Sequence, residues 1–344
     1  MTQGILLINL GTPEAPTTSA VRKYLREFLM DPRVIDIPKV PRWFLVNGII
    51  GPFRSPRSAE AYQKIWTAEG SPLWVYSQKL AVALQDKMGS EYCVKLAMRY
   101  GKPSIQEAFD FFSKKEMTQL TIVPLYPHYA SSSWGSSVEK VFEILKKQEG
   151  VPFIKIIEPF YDHPAFIKAI VSKIYESVFP VGVNNHSSLQ FDHILLSYHG
   201  LPERQIRKAD ITAQHCLHKT DCCEIKTPDF CYKAQCYATS RALIHEMNWT
   251  PENVTTCFQS RLGRTPWIQP FTDHVIEDLA RQGKKRLLVV TPSFVADCLE
   301  TLEEMGIRNR ELFIKNGGED YFLVPCVNES ELWVEALEEI VRDK

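Results

Sequence analysis

Short apolar runs recur along the chain, and several of them end abruptly in glycine or proline. The segments ILLINLGTP (5–13) and ILLSYHGLP (194–202) both show this pattern. A buried parallel strand that breaks into a loop at its carboxyl end has such a sequence. The likeness of the two segments predicts that the chain is built from two similar halves.

Strands and helices are predicted to alternate through both halves, which is typical of parallel sheets covered by helices on both faces. The predicted strands are 4–10, 92–98, 118–124 and 153–158 in the first half, and 191–197, 253–259, 285–291 and 320–325 in the second. Apolar residues at helical spacing predict helices over 18–30, 163–178 and 329–342. Ser71 followed by Pro72 predicts another helix start. The fold class is therefore α/β.

The number of residues that separates equivalent segments of the two halves is larger for the first strand than for the later segments. An insertion at about residues 31–70 is therefore predicted between the first two strands. Within it, residues 38–57 combine large apolar side chains with Arg42, Arg54 and Arg57. An apolar lip fringed with arginines suits a flat acidic ligand or the surface of an anionic membrane. A helical hairpin packed on the edge of the sheet explains the same composition, and both interpretations stay open.

The length of 344 residues favours two domains, because one hydrophobic core seldom grows so large. We expect a first domain over 1–160, a second over 161–326 with a cysteine-rich insert at about 210–236, and a C-terminal helix over 327–344. This helix is expected to pack back across the domain interface.

Charge and composition exclude several classes of protein. A net charge of −1 gives no electrostatic reason to expect nucleic-acid binding. No apolar run reaches the ~18 residues of a membrane span, and the N-terminus does not have the pattern of a signal peptide. We therefore expect a cytoplasmic protein whose nine cysteines are free thiols or metal ligands, not disulfides.

Two segments of the second half carry groups suited to proton or metal chemistry. His199 ends a predicted strand, and Asp297, Cys298 and Glu300 follow the strand 285–291. Since the carboxyl ends of parallel strands meet in one crevice, an imidazole and a carboxylate there can accept protons or guide a divalent metal. A structural histidine and a glutamate that stabilises the first turn of a helix are the alternative interpretation.

These residues lie in motifs that resemble the ferrochelatases. The resemblance covers nearly the whole chain, through LLINLGTP, VRKYLREFLMDPRV, SPRSAEAYQKIW, MRYGKP, LYPHYASSSWGSS, SYHGLPER, FQSRLGRTPW and ADCLETLEE. It implies two Rossmann-like domains related by duplication, with protoporphyrin IX in the cleft between them. The implied reaction inserts Fe(II) into this porphyrin with release of two protons, the last step of haem biosynthesis. His199 and Glu300 are then the catalytic residues and the ligands of the incoming iron.

The resemblance also implies a set of residues that bind the porphyrin. They are Leu10, Arg54, Tyr62, Arg99, Tyr100, Tyr129, Gln259, Ser260 and Trp267. Aromatic rings offer flat contact area and arginines match propionates, although core packing is the alternative for Tyr100 and Trp267. Relatives that use coproporphyrin III have tyrosine in place of Leu10, so leucine favours protoporphyrin IX. Asp297 and Glu304 are expected either to relay protons or simply to be solvated.

The cysteines give a second chemical signal, because five of the nine lie within 216–236. Such density in a reducing compartment indicates a thiolate-bound metal, although the spacing matches neither a zinc ribbon nor a ferredoxin. The resemblance extends to bacterial ferrochelatases that hold a 2Fe-2S cluster in an insert at this place. We expect the ligands Cys216, Cys222, Cys223 and Cys231, with Cys236 as an alternative ligand. A structural zinc site and plain reduced thiols stay open.

Two other functions stay open at this point. A cobalt or sirohydrochlorin chelatase shares the fold, but is expected to lack the lip and the FQSRLGRTPW motif. A non-enzymatic haem-binding or redox-sensing protein would use the cysteine-rich insert as its working part.

Overall fold

A computed structural model describes residues 3–178, 191–218, 221–224, 230–261, 263 and 265–343. Part of the predicted cysteine-rich insert and two residues of the FQSRLGRTPW motif, Leu262 and Arg264, lie outside the described residues. The chain divides into two compact units. Unit 1 comprises Met1–Tyr126, Ala130–Pro159 and Val334–Lys344, and unit 2 comprises Pro127–Tyr129 and Phe160–Trp333.

Unit 1 is built on a four-stranded parallel sheet with the order β2-β1-β3-β4. The strands are β1 (Gln3–Gly11), β2 (Tyr92–Tyr100), β3 (Gln119–Pro124) and β4 (Phe153–Ile156). In β1, an inner strand, the residues from Ile5 to Ile8 are all apolar and have no exposed surface, as expected where helices cover both faces of a sheet. Phe109 and Phe112 of a flanking helix pack on the same core.

Several helices of unit 1 begin where the sequence supplies a cap or a proline. They are α1 (Thr18–Leu29), α2 (Lys39–Phe44), α3 (Gly51–Ile65), α4 (Pro72–Met88), α5 (Ile105–Lys114) and α6 (Ser136–Leu145). Thr17 caps α1, and Ser104 with Glu107 forms a capping box on α5. Ser71 stands at the N-cap of α4 with proline next to it, as the sequence predicts.

Unit 2 repeats this sheet with the order β6-β5-β7-β8. Its strands are β5 (His193–His199), β6 (Val254–Gln259), β7 (Arg286–Val290) and β8 (Asp320–Leu323). Its helices are α7 (Pro164–Val178), α8 (Glu203–Ala209), α9 (Tyr232–Glu246), α10 (Thr272–Arg281) and α11 (Arg310–Lys315), and the last helix of the chain is α12 (Glu331–Arg342). The prediction of an α/β fold with two four-stranded parallel sheets is confirmed.

The strand order fixes where each sheet is able to bind a ligand. The strand order reverses between β1 and β3 in unit 1 and between β5 and β7 in unit 2. Open α/β sheets bind ligands at such a switch point, beyond the carboxyl ends of the strands. In unit 2 this point lies between β5, which ends at His199, and β7. The predicted catalytic histidine therefore stands at the topologically favoured position of its sheet.

The predicted lip, residues 38–57, is helical and includes a π-helical segment, Leu45–Ile50, between α2 and α3. Large apolar side chains are exposed along it, among them Trp43, Phe44, Ile49 and Phe53. The expectation that Arg42 belongs to the charged rim is wrong. Arg42 is buried, and its Nη1 donates to the backbone carbonyls of Ile35 and Ile37. In the described part of the chain, no helix combines the length and apolar character that crossing a bilayer requires.

Candidate active site

Backbone contacts hold His199 firmly at the end of β5. Its N–H donates to the hydroxyl of Ser293, 3.1 Å away, just beyond β7. Its ring Nδ1 lies 2.6 Å from the carbonyl oxygen of Gly200. A carbonyl oxygen only accepts hydrogen bonds, so Nδ1 carries the proton, and in the neutral ring Nε2 keeps a lone pair for a proton or a metal ion.

Gly200 is needed because the chain passes very close to its neighbours here. Its N–H donates to the carbonyl of Gln259, 2.7 Å away. A Cβ atom at this position would lie 2.8 Å from that carbonyl oxygen and 3.4 Å from the ring of Trp267. Glycine therefore allows the strand end to approach both residues, and Trp267 lies beside the histidine loop.

Gln259 connects the histidine strand to Glu300. In the sheet it pairs with His199, and its Oε1 accepts a 2.7 Å hydrogen bond from Ser197. Its Nε2 donates to the backbone carbonyl of Glu300 across 3.2 Å. Glu300 begins a π-helical segment, Glu300–Asn309, a kind of helix that is often found at functional sites. One buried side chain thus ties together the two segments that carry the predicted catalytic pair.

Glu304 is a third acidic group of this site, and the sequence left its role undecided. Ser260 adopts a left-handed backbone conformation with φ of 68°, which directs both its N–H, at 2.9 Å, and its hydroxyl onto the Glu304 carboxylate. Burial raises the pKa of Glu304 against the opposing effects of Ser260, Arg308 and His199, and the charge of Glu300 raises it further. Both His199 and Glu300 therefore lie within electrostatic range of Glu304.

Asp297 does not have the geometry expected of a proton relay. It is buried, and Thr301 and the Asn328 side chain donate to its two carboxylate oxygens at 2.9 and 2.8 Å. The backbone N–H of Asp297 in turn donates to Asn328 across 2.8 Å. Asp297 therefore fixes the loop after β7, and the alternative that it is merely solvated is also wrong.

Arg99 and Tyr100 belong to a buried network around Asp31 in unit 1. The Asp31 carboxylate accepts from Arg99 at 2.6 Å, from the Tyr100 hydroxyl at 2.8 Å and from Ser136 at 2.6 Å. Burial opposes ionisation of Asp31, but these donors and the backbone of Arg33 outweigh it and lower the pKa of the carboxyl. Burial also raises the pKa of Tyr100, whose residue is only 1% exposed. Asp31 and Ser136 lie within two of the motifs that carry the resemblance, but neither was predicted as a site residue.

The remaining predicted pocket residues lie in different parts of their units. Leu10, near the end of β1, is partly exposed, and Arg54, on α3, is exposed. Tyr62 on α3 is buried, with its ring against Trp66. Tyr129 belongs to unit 2, where its N–H donates to the Gln235 side chain of α9 across 2.6 Å.

All five cysteines of the insert are buried. The Sγ atoms of Cys216 and Cys231 are 3.6 Å apart, and those of Cys222 and Cys223 are 3.9 Å apart. A hydrogen bond with Cys223 lowers the pKa of Cys231 to about 6. Cys236 lies deeper in α9, where burial raises its pKa. Within the described ranges, no group of three or more His, Cys, Asp or Glu residues is arranged to hold a metal ion.

Two solved structures share the fold. One is SirB from Bacillus subtilis with Fe3+, with a TM-score of 0.56, 13% identity and coverage of 99% of this chain and 95% of the other. The second is the sirohydrochlorin chelatase SirB from Bacillus subtilis subspecies spizizenii in complex with cobalt, with a TM-score of 0.53, 12% identity and coverage of 99% and 94%. At these identities the likeness concerns the fold alone.

Sequence relatives are much more similar. Ferrochelatase from Legionella pneumophila (strain Lens) is 47% identical over 349 residues, which covers 100% of both chains. Ferrochelatase from Coxiella burnetii (strain Dugway 5J108-111) is 43% identical over 340 residues, which covers 98% of this chain and 93% of the relative. The family model for ferrochelatase matches residues 2–344. The chain therefore belongs to the ferrochelatase family, the metal chelatases of the lyase class.

Proposed function

We propose that His199 and Glu300 carry out the iron insertion by which this protein acts as a protoporphyrin ferrochelatase. The observation that carries this proposal is the 2.6 Å contact between His199 Nδ1 and the Gly200 carbonyl, which reserves Nε2 for substrate. Gln259 supports it, since it holds the start of the Glu300 segment beside the same strand end. Imidazole nitrogen and carboxylate oxygen together suit Fe(II) as an incoming substrate.

The chemistry requires two protons to leave the porphyrin as iron enters. Both inner N–H groups of the free ring must be deprotonated, and the ring must buckle so that its nitrogen lone pairs face the metal. His199 Nε2 accepts one proton at a time, and Glu300 helps to hold Fe(II) before transfer. The raised pKa of Glu304 makes this buried carboxyl a suitable next proton acceptor, with Ser260 as its hydrogen-bond partner. The products are protohaem and two protons.

The porphyrin contacts proposed on unit 2 are Gln259, Ser260, Trp267 and Tyr129, and those on unit 1 are Leu10, Arg54, Tyr62 and Arg99. Arg99 and Tyr100 also donate hydrogen bonds to Asp31, which supports a second role for both residues in holding the end of β2 in place. Leu10 is proposed to favour protoporphyrin IX over coproporphyrin III. The Leu10→Tyr variant tests this point, because it should raise the rate with coproporphyrin III relative to protoporphyrin IX.

An anaerobic assay with Fe(II) and protoporphyrin IX tests the role of the histidine. The His199→Ala variant should lose at least 100-fold in kcat, since general acid–base catalysis typically contributes 10²–10⁴-fold. His245→Ala is the matched control, because His245 is an exposed residue near the end of α9. Equal rates for wild type and His199→Ala would remove His199 from the mechanism. Activity with Co(II) and sirohydrochlorin alone would favour the other chelatase class.

A 2Fe-2S cluster on Cys216, Cys222, Cys223 and Cys231 is the cofactor that we propose. Two thiolates on one tetrahedral metal with bonds of about 2.3 Å lie about 3.8 Å apart, which is close to the separation within each of the two sulfur pairs. Two such pairs supply two ligands for each of two irons. When bound, the cluster would cross-link the insert. The reaction needs no electron from the cluster, because the substrate iron enters the porphyrin as Fe(II) and stays ferrous.

Spectra of anaerobically purified protein test the cofactor. We expect iron–sulfur absorption, an EPR signal on reduction, and about two irons and two sulfides per chain. Cys231→Ser should abolish them, whereas Cys236→Ser should keep them. Stoichiometric zinc without visible absorption would contradict the cluster.

Peripheral membrane contact through residues 38–57 is the last part of the proposal. Trp43, Phe44 and Phe53 are 52%, 62% and 75% exposed, and Arg54 and Arg57 are exposed beside them. Apolar side chains next to arginines bind anionic interfaces. Flotation with vesicles containing phosphatidylglycerol should recover the wild type, and Phe53→Ser should be recovered less. Phe142→Ser, an exposed phenylalanine on α6, is the control, and equal recovery of all three proteins would contradict membrane contact.

A further inference from the structure

Side chains from outside β5 hydrogen-bond to both the backbone N–H and the backbone carbonyl of His199. Its N–H donates to Ser293 across 3.1 Å, and its carbonyl accepts a 2.7 Å hydrogen bond from the hydroxyl of Tyr232. The backbone N–H of Gly200 donates to the backbone carbonyl of Gln259. The peptide plane between His199 and Gly200 is therefore fixed at its oxygen by Tyr232 and at its nitrogen by Gln259.

This peptide plane determines where the acceptor for the imidazole lies. The Gly200 carbonyl, which receives the Nδ1 proton at 2.6 Å, belongs to the residue that follows the plane. If the plane rotates, the carbonyl moves away from Nδ1, and the ring loses the contact that selects one tautomer. Groups that orient a histidine from outside are important for its basicity and direction.

Tyr232 is suited to such a role by its surroundings. It is the first residue of α9 and is buried at 6% exposure. A tyrosine hydroxyl keeps its proton at neutral pH, so this buried group stays a hydrogen-bond donor. Ser293 also hydrogen-bonds with Tyr232, so the same serine contacts both His199 and the tyrosine.

We propose that Tyr232 is a positioning residue that keeps the His199 ring in the tautomer with its proton on Nδ1. This inference rests on the proposed function for its effect on catalysis, whereas the effect on the tautomer is independent of any activity. The cysteine-rich insert leads directly into α9. Cys231, whose sulfur lies 3.6 Å from that of Cys216, is the N-cap residue of α9 and precedes the tyrosine.

Removal of the Tyr232 hydroxyl alone gives the sharpest test. In Tyr232→Phe, kcat for iron insertion should fall about tenfold while KM for the porphyrin changes less than twofold, because the ring still fills the same space. Ser293→Ala should cause a smaller loss in the same direction. Tyr237→Phe is the matched control on α9, where the Tyr237 ring packs against Phe258, and it should behave like the wild type.

A spectroscopic measurement separates positioning from general damage. Long-range proton–nitrogen NMR spectra of protein labelled with ¹⁵N in its histidine rings report the tautomer, and the His199 signals are those lost in His199→Gln. We expect one Nδ1-protonated form in the wild type and a mixture in Tyr232→Phe. An unchanged His199 pattern in both Tyr232→Phe and Ser293→Ala would overturn the proposal. If the wild type inserted no iron, the proposed function would fail while this spectrum still tested the positioning.

Discussion

The side-chain amide of Gln259 lies 3.2 Å from the backbone carbonyl of Glu300, and in the sheet Gln259 is the partner of His199. Gln259→Leu keeps much of the volume but removes this bond and the 2.7 Å bond from Ser197. We expect a 10–100-fold loss of kcat, the usual effect of removing a group that orients metal or catalytic ligands. Steady-state iron insertion measures it.

The control for this variant is Gln282→Leu, an exposed glutamine that follows α10. Its kcat should equal that of the wild type. If Gln259→Leu were equally active, the link between the two segments would have no part in catalysis.

The network around Asp31 is expected to stabilise unit 1. The Asp31 side chain is 3% exposed and pairs with Arg99 at 2.6 Å. Asp31→Ala leaves the guanidinium without its charge partner, and breaking a buried pair in this way costs about 3–5 kcal/mol. Urea unfolding followed by fluorescence measures the loss. Asp110→Ala on the exposed face of α5 should change the free energy of unfolding by less than about 0.5 kcal/mol, and an equally small effect of Asp31→Ala would contradict this account.

His128 should make the protein less stable in mild acid. Burial lowers its pKa to about 3, whereas the unfolded chain has an ordinary value of about 6.5. The unfolded state therefore binds more protons between these values, and stability is lost as the pH falls through that window. At pH 5.5 the loss is about 1.4 kcal/mol relative to pH 7.5. His128→Gln removes this contribution.

Unfolding free energies at pH 7.5 and pH 5.5 check the prediction. The decrease should be about 1.4 kcal/mol smaller in His128→Gln than in the wild type. The exposed His245→Gln should show the wild-type decrease. Identical pH dependence in all three proteins would mean that His128 is protonated in the folded state.

The sequence was sufficient to predict all eight strands and the place of His199. Most of the strands contain an apolar run bounded by turn residues, so the local pattern identifies them, and polar residues interrupt β2 and β6. A sheet of parallel strands then brings the strand ends to one edge without further information. The pattern also predicted that this strand breaks into a loop at Gly200, whereas the close approach of Gly200 to Gln259 is known from the structure alone.

The contacts that orient the site could not be predicted in this way. Tyr232 is 33 residues from His199, and Asp31 is 68 residues from Arg99, so only the packed fold brings them together. Arg42 and Asp297 were misjudged for a related reason. A charged residue is usually expected to be exposed, but both of these side chains are buried. Arg42 donates to a backbone carbonyl and Asp297 accepts from the amide of Asn328, and these buried groups would otherwise have no partner.

The central claim is that His199 and Glu300 act together on one metal ion and one porphyrin. A double-mutant cycle on kcat for anaerobic Fe(II) insertion, with His199→Ala, Glu300→Gln and the combined variant, tests it most directly. If the two residues serve the same step, the double variant should be about as slow as the slower single variant, because groups that act as a unit are not additive. Losses that simply multiply would contradict a shared site.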